Sequence, residues 1–419
     1  MKRKRRACAR LFLFNNVLDI KLLPTLSKPN NKKIVLLVLD GLGGLPLSPG
    51  GPTELEAART PLLDQLTLEG ALGEIVPVSP GVTPGSGAAT LALLGYDPVK
   101  FPVGRGTLEA RGAEIPVGMS DVAARGNFCT IDSFGHITDR RAGRLSSAKA
   151  VPLVSRLSKI TVPGAEFDIR HLKHYRFAIV LRGTGLNSDI TDTDPQEIGL
   201  PPLPAVARSA TSEHSASLIN QWIGKAQTIL SNETTPNMVT LRGFSCDPQL
   251  PTLDELYSLK AGCIAIYPLY RGVARLTGMN TIPITGTSPA DHFASLRTQN
   301  SKYDFFFVHI KETDTFGEDG DFDGKVDAIE RIDTALQEVL ELDPDVLVVT
   351  GDHSTPSRMQ SHSWHPVPLL LWAPATVRQD TSTEFGERTC SAGGLGRFPA
   401  TELMPLMLAH AERLEKFGA

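Results

Sequence analysis

The chain has 419 residues, a formal net charge of −4 and five scattered cysteines with no CxxC pair. This length suits about two domains, and the mild negative charge argues against a general nucleic-acid binder. No apolar run approaches the roughly 18 residues of a membrane span, and cysteines so placed read as reduced thiols of a cytoplasmic protein.

The N-terminus, MKRKRRACARLFLFNN, joins a basic cluster to an apolar core, Leu11 to Phe14, that is too short for a secretory signal. Residues 1–32 are expected to be a disordered leader. The fold then opens on KIVLLVL, Lys33 to Leu39, a continuous apolar, β-branched run closed by Asp40-Gly41. Such runs mark strands buried on both faces of a mostly parallel sheet. Similar runs lie at Phe305–Ile310, Val346–Thr350 and Pro368–Trp372, with a helical pattern over Gly324–Leu342 between them. The middle, 112–279, differs: shorter strand candidates at Phe177–Leu181, Met238–Leu241 and Cys263–Tyr267, and a loop rich in Asp, Thr and Pro. The expected architecture is α/β: a discontinuous domain of residues 33–111 and 280–419 with a mostly parallel sheet flanked by helices, and a smaller inserted α+β domain of residues 112–279.

In open α/β sheets chemistry gathers beyond the C-terminal strand ends. There KIVLLVL delivers Asp40, FFFVHI delivers Asp314 and Glu318, and VLVVT delivers Asp352 and His353, with His362 following in HSWHP. Clustered carboxylates repel unless cations hold them, and oxygen with imidazole ligands suits Mn²⁺, Mg²⁺ or Zn²⁺. The segment TPGSGAATLALLGYDP sets Ser86 before an apolar helical run. Two readings stand for it: a helix N-cap, or a nucleophile at a helix N-terminus activated by a metal pair. A rival pattern is DGDFDGKVDAIE, Asp319 to Glu330, which matches a calcium-loop template but follows a segment that reads as strand and loop instead of an entering helix.

Eight ordered motifs, among them IVLLVLDGLGGLP, TPGSGAATLALLGYDP, GRGTLEARG, DRRAGRLS, VHIKETDTFGEDGDFDGKVDAIERID and TGDHSTP–HSWHPVP, resemble the archaeal-type cofactor-independent phosphoglycerate mutases of the alkaline phosphatase superfamily. The resemblance runs from Lys33 to the C-terminus. It implies interconversion of 3-phosphoglycerate and 2-phosphoglycerate through a phosphorylated Ser86, with no 2,3-bisphosphoglycerate required. Two divalent ions would be held by Asp40, Ser86, Asp314, Glu318, Asp352, His353 and His362. A small-molecule substrate with several negative charges needs a guanidinium clamp, for which the inserted domain offers Arg140, Arg141, Arg144, Arg176, Arg182 and Arg271, with Asp139 beside them as the candidate for moving a proton between hydroxyls; a monomer or small homo-oligomer with no nucleic-acid or membrane partner is expected. The chain departs from its relatives at Glu318, where many carry histidine, at Gly87 and Thr90, where an acid and a histidine are common, and at Arg271, near a usual lysine. Closure of the inserted domain predicts hinges near Gly112 and Met279. The alternatives are a metal-dependent phosphohydrolase of the same superfamily and a non-catalytic calcium- or phospholigand-binding protein.

Overall fold

The computed structural model describes residues 22–418. In chain order its strands are β1 (Ile34–Leu39), β2 (Ala71–Val76), β3 (Val122–Ile131), β4 (Ile137–Asp139), β5 (Glu166–His171), β6 (Arg176–Arg182), β7 (Met238–Ser245), β8 (Ala261–Ala265), β9 (Asn280–Thr281), β10 (Phe305–Ile310), β11 (Val346–Thr350), β12 (Val367–Trp372) and β13 (Gly396–Pro399). They form two sheets. The larger has the order β13-β2-β12-β11-β1-β10-β8-β9. Within it β12 alone runs antiparallel to its neighbours. The smaller, antiparallel throughout, has the order β4-β3-β6-β5 with β7 against β3.

The continuous apolar strands behave as their composition requires. Along β1, Ile34, Leu36 and Val38 enter one hydrophobic cluster and Val35, Leu37 and Leu39 enter the cluster on the opposite face. Helices cover both faces, so no polar alternation is needed. The small sheet has its own core: Phe128, Phe177 and Trp222 lie on one face with the helices Ser147–Leu157 and Glu213–Leu230.

Two expectations are corrected. Residues 22–32 are folded: Leu23 is buried, Asn30 donates to the Ala411 carbonyl at 2.8 Å, and Arg413 donates to the Asn30 carbonyl at 2.7 Å. The rest of the expected leader, residues 1–21, lies outside the described residues. The inserted segment also ends earlier than 279. β8 and β9 belong to the large sheet, where β8 pairs in parallel with β10, Ala261 opposite Phe305. The error has a physical source, since a short buried parallel strand and a short antiparallel one share the same apolar composition.

Candidate active site

The loops after β1, β10 and β11 meet because β1 is hydrogen-bonded in parallel to both other strands, with Val38 opposite His309 on one side and Thr350 on the other. All three chains therefore end at one edge. Asp40, Asp314, Asp352 and His353 are fully buried there, and His362 is partly exposed. Asp40, Asp352 and His353 form one ligand-competent group; Asp314, His353 and His362 form another. His353 Nε2 lies 3.2 Å from Asp40 Oδ1 and 3.6 Å from Asp352 Oδ2. His362 Nε2 lies 3.6 Å from Asp314 Oδ1 and 3.9 Å from Glu318 Oε1, and its ring stacks on His353 at 3.6 Å. Glu318 sits one helical turn past Asp314 on the helix Glu312–Asp319, with its side chain exposed at the rim.

The donors fit divalent cations. Among the described residues, Asp40 Oδ1, Asp352 Oδ2 and His353 Nε2 are buried with no hydrogen-bond partner, and all three belong to one ligand group. Unsatisfied buried atoms of this kind are costly unless an ion completes them. The atoms behind them are engaged, which aims the free ones inward. Thr355 Oγ1 donates to Asp314 Oδ1 at 2.7 Å and lies 3.0 Å from His353 Nδ1. His362 Nδ1 lies 3.0 Å from the Pro84 carbonyl, two residues before Ser86, which leaves Nε2 toward the acids.

Electrostatics separate the two innermost carboxyls. Burial alone would raise Asp40, but the Lys311 ammonium and the adjacent His309 and His353 imidazoles hold it well below the ordinary aspartate range. Burial and the charge of Asp40 push Asp352 well above it. Lys311 lies 2.8 Å from Asp40 Oδ2 and also contacts Asp314. Against its burial, these two acids raise its pKa. Tyr270 donates to Asp40 Oδ2 and stacks on His309 at 3.4 Å.

Ser86 is the first residue of the helix Ser86–Leu93, whose N-cap is Gly85, and no side chain caps that end. The N-cap reading of Ser86 is thus corrected. Its hydroxyl is partly exposed in a cleft of about 490 Å³ that Lys311, Glu318 and His362 also line. Gly87 is small for a packing reason, since a Cβ there would stand 2.4 Å from Leu108 Cδ1. Thr90 Oγ1 is occupied by the Ser86 carbonyl at 2.7 Å.

Across the cleft, the small sheet contributes guanidinium groups. Of the expected clamp, Arg140, Arg141 and Arg176 line the cleft. Arg144, Arg182 and Arg271 do not: Arg182 donates to the Pro116 carbonyl at 2.8 Å, Arg271 pairs with Glu114 at 3.2 Å, and Arg144 takes a left-handed backbone with φ 54° outside the cleft. Asp139 is also outside, its carboxylate capping a turn through the amides of Arg141 at 2.7 Å and Gly143 at 2.5 Å, so it orders the arginine loop. Sequence reasoning missed Arg105, Arg125, Arg242, Tyr270 and Lys311 in the cleft, and His309 and Thr355 behind it. Lys311 and His309 stand at the same strand end as Asp314, a signal that was there to use. The arginines have none, because their meeting depends on two sheets facing each other.

The calcium-loop template is broken. Asp321 caps the helix Phe322–Ala335, accepting from the Gly324 amide at 2.9 Å, so most of the twelve-residue pattern is helix. Lys325, within the pattern, is fully buried and donates to the carbonyls of Gly41, Gly43 and Thr355 at 2.9, 3.1 and 2.9 Å.

A mostly parallel α/β sheet bearing clustered buried acids and histidines beside a serine defines a metalloenzyme framework. The model of the Metalloenzyme superfamily matches residues 32–410. A Thermus thermophilus protein named as a probable 2,3-bisphosphoglycerate-independent phosphoglycerate mutase is 48% identical over 403 residues, 95% of this chain and 98% of its own. An Aquifex aeolicus protein of the same name is 46% identical over 94% of this chain and 98% of its own. Among solved structures, the cofactor-independent phosphoglycerate mutase of Thermoplasma acidophilum is 29% identical, with a TM-score of 0.68 covering 91% of this chain and all of that one. A Pyrococcus horikoshii protein gives 28% identity and a TM-score of 0.80 over 93% of this chain and 100% of its own. The chain belongs to the Metalloenzyme superfamily and, within it, to the 2,3-bisphosphoglycerate-independent phosphoglycerate mutases.

Proposed function

We propose that the chain interconverts 3-phosphoglycerate and 2-phosphoglycerate, with Ser86 as the group phosphorylated in between. The observation that carries this reading is the convergence of three unpartnered buried ligand atoms, on Asp40, Asp352 and His353, beside a cleft that joins Ser86 to an arginine-lined wall. Asp40, Asp352 and His353 would hold one divalent cation, and Asp314, His362 and Glu318 the other. Mn²⁺ or Mg²⁺ best suits such oxygen-rich sets, and the single imidazole in each also accepts Zn²⁺. Bound cations supply positive charge that lowers the serine hydroxyl pKa and neutralises phosphoryl oxygens.

The chain's own groups do the rest. Ser86 Oγ attacks phosphorus in line, the P–O bond to glycerate breaks, and the serine proton ends on the freed glycerate oxygen. Free amides at the start of the Ser86–Leu93 helix and the Lys311 ammonium favour the phosphoryl charge. Arg140, Arg141 and Arg176 hold the anionic substrate. Glycerate turns within the cleft, and its other hydroxyl takes the phosphoryl group from Ser86. The small sheet, strands β3 to β7, acts as the inserted clamp, and exclusion of water by closure separates a mutase from a phosphohydrolase. A cytoplasmic monomer or small homo-oligomer is the accompanying reading; no described helix is long and apolar enough to cross a membrane.

The test is a coupled assay with 3-phosphoglycerate and Mn²⁺, followed by phosphopeptide mapping. Formation of 2-phosphoglycerate with phosphate on Ser86 is expected. Phosphate release with no 2-phosphoglycerate would make the chain a phosphohydrolase, and phosphate on another residue would remove Ser86 from its role.

A further inference from the structure

We propose that Arg125 and Asn127, two residues apart on β3, form the seat that grips the carboxylate and an adjacent hydroxyl of glycerate while its phosphoryl group rests on Ser86; the assignment rests on the mutase reading above.

Both side chains project from one face of β3 into the cleft, and each residue is only 5% exposed. The register builds a platform around them. Arg125 stands opposite Arg242 on β7 and Ala178 on β6, and Asn127 stands opposite Thr240 on β7 and Arg176 on β6. Cross-strand partners share a face, and Ala178 leaves room beside the Arg125 guanidinium.

Three of the neighbouring arginines already have partners. Arg140 forks onto Asp194 at 3.1 and 2.9 Å, Arg242 donates to Gln196 Oε1 at 2.9 Å, and Arg105 donates to Glu109 at 3.3 Å. Among the described residues Arg125 and Asn127 make no side-chain hydrogen bond or ion pair, and Arg125 Nε and Asn127 Oδ1 are buried and unpartnered. A guanidinium buried with no acid is costly until an anion completes it. Burial lowers Arg125 to about 9, so it keeps its charge at neutral pH.

The pair also selects the chemistry. The planar fork of Arg125 matches a carboxylate. An amide presents one acceptor in either orientation, and an acceptor beside an anion seat is wasted on a bare anion but suits a hydroxyl donor. A carboxylate with a hydroxyl on the next carbon satisfies both. Once the phosphoryl group has moved to Ser86, those are the polar handles that glycerate retains, so this seat keeps it from exchanging with water.

The experiment uses the Mn²⁺-loaded enzyme, calorimetric titration with D-glycerate, and the partition of 3-phosphoglycerate between 2-phosphoglycerate and free phosphate. Arg125→Gln should weaken glycerate about 100-fold, while Arg125→Lys, which keeps charge without the fork, and Asn127→Leu should each cost about 10-fold. The share of free phosphate should rise in the same order. Glycerate affinity within about threefold of wild type in Arg125→Gln overturns the carboxylate contact, and the same result in Asn127→Leu overturns the hydroxyl contact. A wild-type chain that makes no 2-phosphoglycerate defeats the mutase reading itself, whereas normal wild-type turnover with unperturbed variants defeats only the seat.

Discussion

Thr355 shows how much one hydroxyl decides. It holds Asp314 Oδ1 and faces His353 Nδ1 at once, so it orients a member of each ligand group. Outer partners of this kind typically matter 10- to 100-fold in metal affinity or activity. Thr355→Val should lower turnover about 10- to 100-fold at limiting Mn²⁺ and recover part of it at saturating Mn²⁺, read from the metal activation curve. Unchanged activation would remove Thr355 from that role. Glu318 tests ligand softness. Its carboxylate lies 3.9 Å from His362 Nε2 at the exposed rim. Glu318→His should move the preference among activating ions from Mg²⁺ and Mn²⁺ toward Zn²⁺, since imidazole suits the softer ion. The check is the ratio of initial rates with each ion, and a ratio equal to wild type would count against Glu318 as a ligand.

At the level of elements, the loops that bear the ligands are tied down by a buried cation. Lys325 reaches from the helix Phe322–Ala335 to carbonyls of the β1 loop and the β11 loop. Burial lowers its pKa, with Glu54 and Glu387 acting in the opposite sense. Lys325→Met would strand three carbonyls, and a loss of about 3–5 kcal/mol is expected by denaturant unfolding. The helices Arg105–Gly112 and Pro268–Leu276 meet backbone to backbone. A Cβ on Gly272 would stand 1.8 Å from the Leu108 carbonyl oxygen, and one on Gly112 would stand 1.9 Å from that of Pro268. Gly272→Ala should therefore destabilise by about 3 kcal/mol or more, measured by thermal unfolding. This contact also bears on the hinges expected near Gly112 and Met279. Gly112 is packed against Pro268, and Met279 is buried just before β9, so a closing motion would turn at the crossings between Gly112 and β3 and between β7 and β8.

Across the whole molecule, the inserted sheet carries its own acid sensitivity. Burial alone would raise Asp194, but the fork from Arg140 and the Gln196 amide hold it below the ordinary aspartate value of 3.8. The unfolded chain then binds the proton more readily than the folded one, so stability rises with pH through this range. The contribution is present above 3.8 and is lost as pH falls through the depressed native value. Asp194→Asn should be less stable at pH 7 and lose less on acidification, measured as the denaturant midpoint from about pH 6 down to about pH 3. An acid limb as steep as that of wild type would exclude this carboxylate. Closure of the sheet over Ser86 would also shield the cleft, linking this stability to retention of glycerate.

Legibility followed the range of the forces involved. The runs at Ile34–Leu39, Phe305–Ile310 and Val346–Thr350 had to become buried parallel strands, and an acid placed just past each one had to reach the same edge; Asp40, Asp314, Asp352 and His353 were readable for that reason. Ser86 was readable as a helix start, though not that Gly85 takes the cap position. Tertiary structure alone decided that β8 joins the large sheet, that Arg182 and Arg271 turn to other partners while Arg144 stays outside the cleft, and that, among the described residues, Arg125 and Asn127 face the cleft unpartnered. Local periodicity encodes which residues are buried, because burial follows from composition along one strand. Which buried charge meets which partner depends on the register and approach of separate sheets, and a charge carries no mark of its distant partner in its own segment.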